Sequence, residues 1–450
     1  MNFLEINSDR KFQLSLIGIF IFSVLLRFWD LSQFNTLVFD EVYYAKYAND
    51  YLIGKEFFQS HPPLSQYLIA FGIWIGSHFP ASPDTINTLT GSARSTLSYR
   101  WLNALTGSFI PLVFGAIAYQ LTLRRSTCII ASLLAALDGL FLVESRYALN
   151  NIYLILFGLL GQLFFLISLR KTRKLNWLLL AGVFLGLSAS IKWNGLGFLL
   201  GIFLLIGIAR LGKRFFPRYF TDELWTKTAN INIVYIPLAL VFVPALVYSL
   251  LWIPHLILIP QYNFIQVHRE IWSFHQRIKG NTPDVHPYCS PWYSWLIMWR
   301  PVAYYYAGNS RITYDVHAMA NPILLILSTG SIAFFLLRSL FARVWRYRDH
   351  FNSFLAVYFL GNYLANLLPW LKISRCTFFY HYMASYSFAI LSLAWVLSES
   401  WRSSSAIDRM AARVSIVLIL LAFFYWLPVY LGWPLSSDDF HRRMIFPSWI

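Results

Sequence analysis

Long apolar runs separated by short polar segments follow one another along most of the chain. A helix that crosses a bilayer needs about 20 predominantly apolar residues, and eleven windows reach or approach that length. The pattern therefore predicts an all-α integral membrane protein, in which about eleven transmembrane helices form one polytopic domain over residues 1–450. The windows are residues 12–29, 101–121, 127–144, 149–169, 176–191, 193–210, 232–253, 321–340, 353–371, 378–398 and 414–432.

Two connections between these windows, residues 30–99 and 253–321, are much longer than the others. Long loops in compact folds are usually functional. The first has tyrosines at helical spacing over residues 43–51 and then Gly54 as a terminator. The second has apolar residues at helical spacing over Asn263–Gly280. We predict an amphipathic helix on the membrane surface in each loop, which either covers a chemical site or only anchors the loop.

Composition supports the membrane class, and charge orients the chain. Apolar residues make up 58% and charged residues 12% of the sequence, against about 45–50% and about 25% in soluble domains. The net charge of +16 is concentrated in alternate connections, so the amino terminus is predicted to be cytoplasmic and both long loops to lie outside. The charge then serves topology and anionic lipid headgroups, not a nucleic-acid partner. The basic clusters are Arg124–Arg125, Arg170–Lys174, Arg210–Lys227, Arg338–Arg348 and Arg402–Arg413.

Ionisable residues collect at the predicted outer ends of the windows, where they are costly and therefore suggest function. Together they could line one cavity that opens to the outer face. Each also has a structural alternative: Arg100 could extend to the interface, Lys192 could occupy a solvated turn, and Glu144 could pair with Arg146. His381 could be an interior hydrogen-bonded residue. The set is Asp40, Glu41, His61, Arg100, Asp138, Glu144, Arg146, Lys192, Lys372, Arg375 and His381.

The adjacent acids Asp40 and Glu41 are the strongest functional candidates, because neighbouring carboxylates repel each other and a solvated loop could use any polar residue. A carboxylate at the water–membrane boundary can act as the base for a hydroxyl nucleophile. A phosphate leaving group departs as a stable anion, so the transfer needs cations and hydrogen-bond donors and no second carboxylic acid. The candidates for that task are Arg146, Lys192, Arg375 and His381.

Several motifs together resemble the protein O-mannosyltransferases, integral-membrane glycosyltransferases of the GT-C class that use a polyprenyl-phosphate sugar as donor. The resemblance extends nearly from end to end, and the acidic pair followed by His-Pro-Pro-Leu is its most specific part. The matching segments are FDEVYYAKYANDYLIGKEFFQSHPPL, YRWLNALTGSFIPLVFGAIAYQL, ESRYALNN, SIKWNGLGF, HPYCSPWYSWLIMWRPVAYYY and RCTFFYHYMASYSFAIL.

The resemblance implies a role for each matching residue. Asp40 would take the proton of the acceptor hydroxyl, and Glu41 would position the acceptor or order the loop. The ligands of the donor phosphate and lipid would be Arg146, Lys192, Arg375, His381 and Tyr382. The substrate contacts would be His61 and Arg100, with Trp292 and Tyr293 at the mouth of the acceptor cleft. The donor would be polyprenyl-phosphate mannose, transferred with inversion and without a metal or other cofactor.

The second long loop is too short for the large lumenal β-trefoil domain of the eukaryotic members, which indicates a bacterial member of the plasma membrane with a site facing the periplasm or exterior. The resemblance implies an acceptor polypeptide, delivered by the secretion machinery, and a dimeric assembly among membrane lipids. It leaves open a transferase that acts on a lipid or polysaccharide, as the related aminoarabinose transferases do. A transporter or flippase of lipid-linked sugars is a different class, and it predicts broken helices in two inverted halves.

Three cysteines are far apart in sequence and have no metal-binding spacing. Cys289 and Cys376 both fall on the predicted outer side, where a disulfide could form, while Cys128 falls within a window. The sequence leaves the pairing of Cys289 and Cys376 open.

Overall fold

The computed structural model describes residues 10–278, 280–282, 284–309, 311–340 and 353–450. The basic cluster predicted over Arg338–Arg348 therefore falls largely outside the described residues. The described chain is mainly helical, with two small antiparallel sheets. The helices are α1 Arg10–Phe28, α2 Glu41–Ile53, α3 Leu64–Gly76, α4 Thr96–Thr122, α5 Arg125–Ala136, α6 Gly139–Arg146, α7 Asn151–Arg170, α8 Lys174–Ala189, α9 Leu196–Phe215, α10 Glu223–Ala229, α11 Tyr235–Pro237, α12 Val243–Leu258, α13 Phe264–Arg277, α14 Pro322–Leu340, α15 Ser353–Leu367, α16 Met383–Arg402, α17 Ala406–Leu431 and α18 Ser437–Arg443.

The helices confirm a polytopic membrane fold but not the predicted number of spans. Among the described residues, eight helices are long and apolar enough to cross a membrane, or nine if α5 and α6, bent by 58°, form one span. The windows 176–191 and 378–398 do not qualify. The first falls on α8, which has 16 residues, and the second falls on α16, in which serines interrupt the apolar run.

Both loops contain a helix at the predicted place, and its location on the membrane surface stays a prediction. The first is α2, which ends where Gly54 adopts a left-handed conformation (φ 68°) that a residue with a Cβ rarely adopts. The second is α13, which begins with a capping box in which Asn263 and Gln266 bond each other's backbone N–H groups.

Two short sheets, which the sequence pattern did not reveal, lie in or beside the long outer loops. The strands β1 Ile86–Leu89 and β2 Ser92–Ser95 form a hairpin in the first loop. The second sheet has the order β3–β4–β5, with β3 Val302–Gly308, β4 Ile312–Ala318 and β5 Leu435–Ser436. The register of β3 on β4 shifts between Ala303 and Tyr305, so a bulge forms at Tyr304.

The break between α5 and α6 is held by Asp138, which caps the amino end of α6. Its carboxylate accepts hydrogen bonds from the Phe141 N–H at 3.0 Å, the Asn321 N–H at 3.2 Å and the Tyr386 hydroxyl at 2.9 Å. Asp138 therefore has a structural role away from the predicted cavity. By capping α6 after the break, it lets α6 turn and carry Glu144 to Tyr304 of the second outer loop.

Close packing of α9 on α15 forms one wall of the site. A Cβ at Gly201 would lie only 2.0 Å from Oδ1 of Asn362, and that oxygen accepts a hydrogen bond of 2.7 Å from Gln162. Small residues allow such an approach between membrane helices, and the polar side chains satisfy one another there.

Candidate active site

Glu41 is fully buried and all of its hydrogen bonds hold protein groups in place. Its carboxylate accepts bonds of 2.8 Å from the backbone N–H groups of Val38 and Ala148. Arg100 donates to the same carboxylate from Nε at 2.9 Å and from Nη2 at 2.7 Å. These contacts favour the loop-ordering role for Glu41 over direct contact with an acceptor.

Arg100 is also fully buried, and each of its five N–H groups has a protein acceptor. Besides Glu41, it donates to the carbonyl groups of Leu31 at 3.1 Å, Phe34 at 3.0 Å and Thr36 at 2.8 Å. Arg100 thus fixes the chain between α1 and α2. The prediction that Arg100 contacts the substrate is therefore corrected, because none of its N–H groups remains free to bind a substrate.

Asp40, next to this buried pair, has a free carboxylate. Its backbone carbonyl begins α2 by accepting from the N–H groups of Tyr43 and Tyr44, but its side chain accepts no hydrogen bond from the part of the chain that the structure describes. Burial raises the pKa of the Asp40 carboxyl to about 6, against the opposing effect of Lys192. Asp40 is therefore available to accept a proton.

The residue before Asp40 is held in a strained conformation. Phe39 has a φ of 50°, a left-handed value that is uncommon for a bulky residue and occurs preferentially at functional sites. Its ring stacks on Tyr304, with ring centres 4.3 Å apart. The stack and the buried Glu41 thus hold the residues on either side of Asp40 in place.

A connected polar network faces Asp40. Lys192 donates a hydrogen bond of 3.0 Å to Asn151, whose side-chain N–H group donates to Glu144. The Tyr304 hydroxyl donates to the same Glu144 carboxylate. Burial lowers the pKa of the Lys192 ammonium to about 8, while Asp40 and Glu144 act in the opposite direction.

Arg146 does not belong to this network. Its Nη1 group donates to the carbonyl groups of Leu26 at 2.9 Å, Arg27 at 3.2 Å and Trp29 at 2.7 Å. These carbonyls belong to the last turn of α1 and the residue that follows it, where a cation is favourable. The predictions that Arg146 binds phosphate or pairs with Glu144 are therefore corrected: it caps α1.

A cavity of about 510 Å³ extends from Lys192 between α9 and α15 and beneath α13. It brings together four predicted site residues, and it adds His275 and Trp272 of α13, which the sequence did not single out as site residues. Apolar residues line the part formed by α9. The lining comprises His61, Lys192, Trp193, Asn194, Leu196, Gly197, Leu200, Trp272, His275, Ala365, Asn366, Pro369, Trp370, Ile373, Arg375 and His381.

Three histidines at the cavity are neutral hydrogen-bonding groups, because burial lowers the pKa of each. The rings of His61 and His275 lie 5.3 Å apart, and His275 Nε2 is 2.9 Å from the carbonyl oxygen of Ser60. His381 Nδ1 is 3.0 Å from both backbone N and O of Phe378, which leaves Nε2 for a ligand.

A disulfide between Cys289 and Cys376 answers the question that the sequence left open. It joins the second outer loop to the segment between α15 and α16. Arg375 precedes the bridge, and its Nη1 donates to the Cys376 carbonyl at 3.2 Å. Nearby, the Ser290 N–H donates to the Thr377 carbonyl at 2.7 Å. The disulfide therefore helps to place Arg375 at the cavity.

The remaining predicted residues lie elsewhere. Tyr382 is fully buried, bonds the Tyr363 hydroxyl at 2.8 Å and is not among the described residues that line the cavity, so its role as a donor ligand stays a prediction. Trp292 and Tyr293 lie on the turn Trp292–Ile297 in the second outer loop, with Tyr293 63% exposed. Their place at an acceptor cleft stays a prediction.

The assembled residues can therefore combine two kinds of chemistry. Asp40 supplies a free, partly buried carboxylate that can take a proton near neutral pH. Lys192, Arg375, His61 and His381 supply cations and N–H donors for an anion in the adjoining cavity. Glu41 and Arg100 act on the geometry of the loop.

Two family models together match nearly the whole chain. The sequence model of the dolichyl-phosphate-mannose-protein mannosyltransferase family matches residues 17–259, and that of the C-terminal four-helix membrane region of protein O-mannosyltransferase matches residues 260–449. The chain is 26% identical to the polyprenol-phosphate-mannose–protein mannosyltransferase of Corynebacterium glutamicum, over 95% of this chain and 92% of the relative. Identity to the enzyme of the same name from Mycolicibacterium smegmatis is 24%, over 92% and 88%.

The fold is also similar to a solved structure. The protein O-mannosyltransferase Pmt1–Pmt2 complex of Saccharomyces cerevisiae, bound to the sugar donor, contains a chain that superimposes with a TM-score of 0.83 at 14% identity, over 98% of this chain and 93% of that one. The chain thus belongs to the dolichyl-phosphate-mannose-protein mannosyltransferase family and is a membrane glycosyltransferase with the GT-C fold.

Proposed function

We propose that this enzyme transfers mannose from polyprenyl-phosphate mannose to Ser or Thr hydroxyl groups of exported proteins. The observation that carries the proposal is the unbonded Asp40 carboxylate, which interacts electrostatically with Lys192 of the cation-lined cavity. The names of the bacterial relatives state the same donor and a protein acceptor. The proposal extends both to this chain.

In the proposed complex the donor occupies the cavity. Lys192 and Arg375 contact the phosphate, and His61 and His381 donate to it. The polyprenyl chain follows the apolar residues Leu196 and Leu200 of α9, which line the cavity and are partly exposed on the membrane-facing surface. This arrangement places the sugar between the cations and Asp40.

The proposed reaction is a single displacement at the anomeric carbon. Asp40 takes the proton of the acceptor hydroxyl as its oxygen forms a bond to that carbon from the face opposite the phosphate. The bond between the anomeric carbon and the phosphate oxygen breaks, and polyprenyl phosphate leaves as an anion paired with Lys192 and Arg375. A β-linked donor thus gives an α-linked product. The proposed step uses no metal.

We place the reaction on the outer face of a bacterial plasma membrane, with the amino terminus in the cytoplasm. Disulfides persist in oxidising compartments, and the bridge between Cys289 and Cys376 borders the cavity. The basic clusters of the alternate connections support the same orientation. Delivery of the acceptor by the secretion machinery and assembly as a dimer among membrane lipids stay predictions.

Purified enzyme should transfer mannose from polyprenyl-phosphate mannose to a Ser/Thr-rich peptide. The test compares this donor with polyprenyl-phosphate glucose and aminoarabinose, and compares the peptide with a lipid acceptor. Mass spectrometry should locate hexose on Ser or Thr, and NMR should show the α-anomer. Transfer confined to a lipid or glycan acceptor would instead establish the aminoarabinose-transferase alternative.

Transfer should depend on pH through Asp40 and Lys192. Below pH about 6 Asp40 is protonated and cannot act as base, and above pH about 8 Lys192 is neutral and binds phosphate less well. The kcat/KM for the donor should therefore rise and then fall as pH increases, since this constant reports the free enzyme. Lys192→Gln should remove the alkaline limb, whereas Lys372→Gln, at an exposed position outside the cavity lining, should keep both limbs.

A further inference from the structure

Strand β3 has a free edge that leads into the site. It is the outer strand of the order β3–β4–β5. Among the described residues, no backbone or side-chain hydrogen bond reaches the β3 main chain from any segment other than β4. Such an edge is a template for another extended chain.

The register identifies the backbone groups that face this edge. In an antiparallel pair, alternate residues direct their N–H and C=O groups toward the partner, and the others direct them away. The turn bond from the Asn309 N–H to the Ile312 carbonyl sets the alternation. Because Asn309 bonds to β4 in this way, the backbone N–H and C=O groups of Ala307 also point toward β4. Those of Tyr306 and Gly308 point toward the free edge.

The bulge connects the edge to the catalytic residues. At Tyr304 the strand loses register with β4, and bulges often re-aim a side chain beside an active site. The Tyr304 side chain is buried, donates to Glu144 and stacks on Phe39, the neighbour of Asp40. Two residues along the strand, Tyr306 is 63% exposed. Since a strand rises about 3.3 Å per residue, the edge extends about 7 Å from the exposed Tyr306 to Tyr304 beside the site.

We propose that the acceptor polypeptide binds as an extended strand on the free edge of β3, paired with the backbone of Tyr306 and Gly308. Its hydroxyl-bearing residue then lies beyond Tyr304 and within reach of Asp40. Main-chain pairing gives affinity without reading side chains, which suits the proposed transfer to Ser or Thr of exported proteins. This inference rests on the proposed function, because it needs a polypeptide acceptor.

The test is a backbone N-methylation scan of a peptide with one Thr, assayed with polyprenyl-phosphate mannose. Each methyl group removes one N–H donor and obstructs pairing on that side. Methylation at alternate positions should lower kcat/KM for the peptide about tenfold, as expected from a lost hydrogen bond with steric obstruction, while the intervening positions should change little. A scan without alternation overturns the strand, although transfer to the unmethylated peptide would still uphold the proposed function.

A matched pair of variants tests the enzyme side. Tyr306→Pro removes the N–H that faces the free edge and leaves the β4 ladder intact, whereas Tyr306→Ala keeps that N–H and removes only the ring. We expect the KM for the peptide to rise about tenfold in Tyr306→Pro relative to Tyr306→Ala, with donor binding and thermal stability equal in both. Equal KM values, or a change in oligomeric state in place of KM, would show that the edge does not bind the acceptor.

Discussion

Replacing Asp40 with Asn should lower the rate of mannose transfer by about 10²–10⁴-fold, the usual contribution of a positioned base. Asparagine has nearly the same shape but cannot take the hydroxyl proton. Burial already opposes a charge at this position, and the side chain holds no other group in place, so the neutral variant should fold normally. The loss should appear in the rate constant of single-turnover transfer, while the Kd for polyprenyl-phosphate mannose stays within about twofold of wild type.

Two further variants make this result specific. Asp284→Asn removes an exposed carboxylate in the second outer loop and should leave transfer unchanged. Glu144→Gln tests the other carboxylate of the site, which already accepts bonds from Asn151 and Tyr304; it should lower the rate less than Asp40→Asn does. If Asp40→Asn kept more than a tenth of the wild-type rate, Asp40 would not be the base.

Hydropathy was sufficient to predict the class of fold, since a bilayer requires long apolar helices. Periodicity was sufficient for α2 and α13 because aromatic or apolar residues recur at helical spacing in each. Each also has one recognisable end, Gly54 after α2 and the capping box at the start of α13. The number of spans did not follow in the same way. The window 176–191 is as short as α8, which has 16 residues, so counting it as a span overestimated their number. Apolar windows also do not reveal that Asp138 breaks the helix between α5 and α6.

The sequence could not separate residues that face the cavity from residues that hold it together. Arg100, Arg146 and Lys192 are all cations at outer ends of apolar windows, but their partners are distant in sequence. Arg100 bonds a carboxylate 59 positions away, and Arg146 bonds a carbonyl 120 positions away. Only Lys192 retains a place on the cavity wall. Tyr304 gave no signal because an aromatic residue in an apolar chain resembles any core residue.

The broken-helix criterion also distinguishes a transferase from a transporter. A transporter with inverted repeats is expected to interrupt spans at corresponding positions in both halves. Within the described residues, one bent pair, α5 and α6, has the character of a broken span. At the bend between these two helices, the Asp138 carboxylate accepts hydrogen bonds from other protein groups, so this break holds the fold together. The candidate chemistry instead collects between the outer loops and the ends of the helices.

Replacing Glu41 with Gln should destabilise the enzyme by about 3–5 kcal/mol, the cost of removing one partner from a buried ion pair. Glu41 and Arg100 are both essentially inaccessible, and the two carboxylate oxygens accept from Arg100, Val38 and Ala148. Gln offers only one acceptor oxygen, so its NH₂ group must face another donor. Thermal unfolding in detergent should show the loss. Transfer should fall as well, because the loop that carries Asp40 is released.

A double-mutant cycle with Arg100→Met should assign this energy to the pair. We expect the double variant to be less destabilised than the sum of the two single variants, since it leaves no unpaired buried charge. Glu399→Gln breaks the half-exposed ion pair with Arg124 and should cost about 1 kcal/mol or less. A Glu41→Gln enzyme with wild-type stability and a raised KM for the peptide alone would mean that Glu41 contacts the acceptor. Our assignment predicts the opposite pattern. The Glu41→Gln enzyme should lose stability, and in its folded fraction the ratio of the KM for the donor to the KM for the peptide should equal the wild-type ratio.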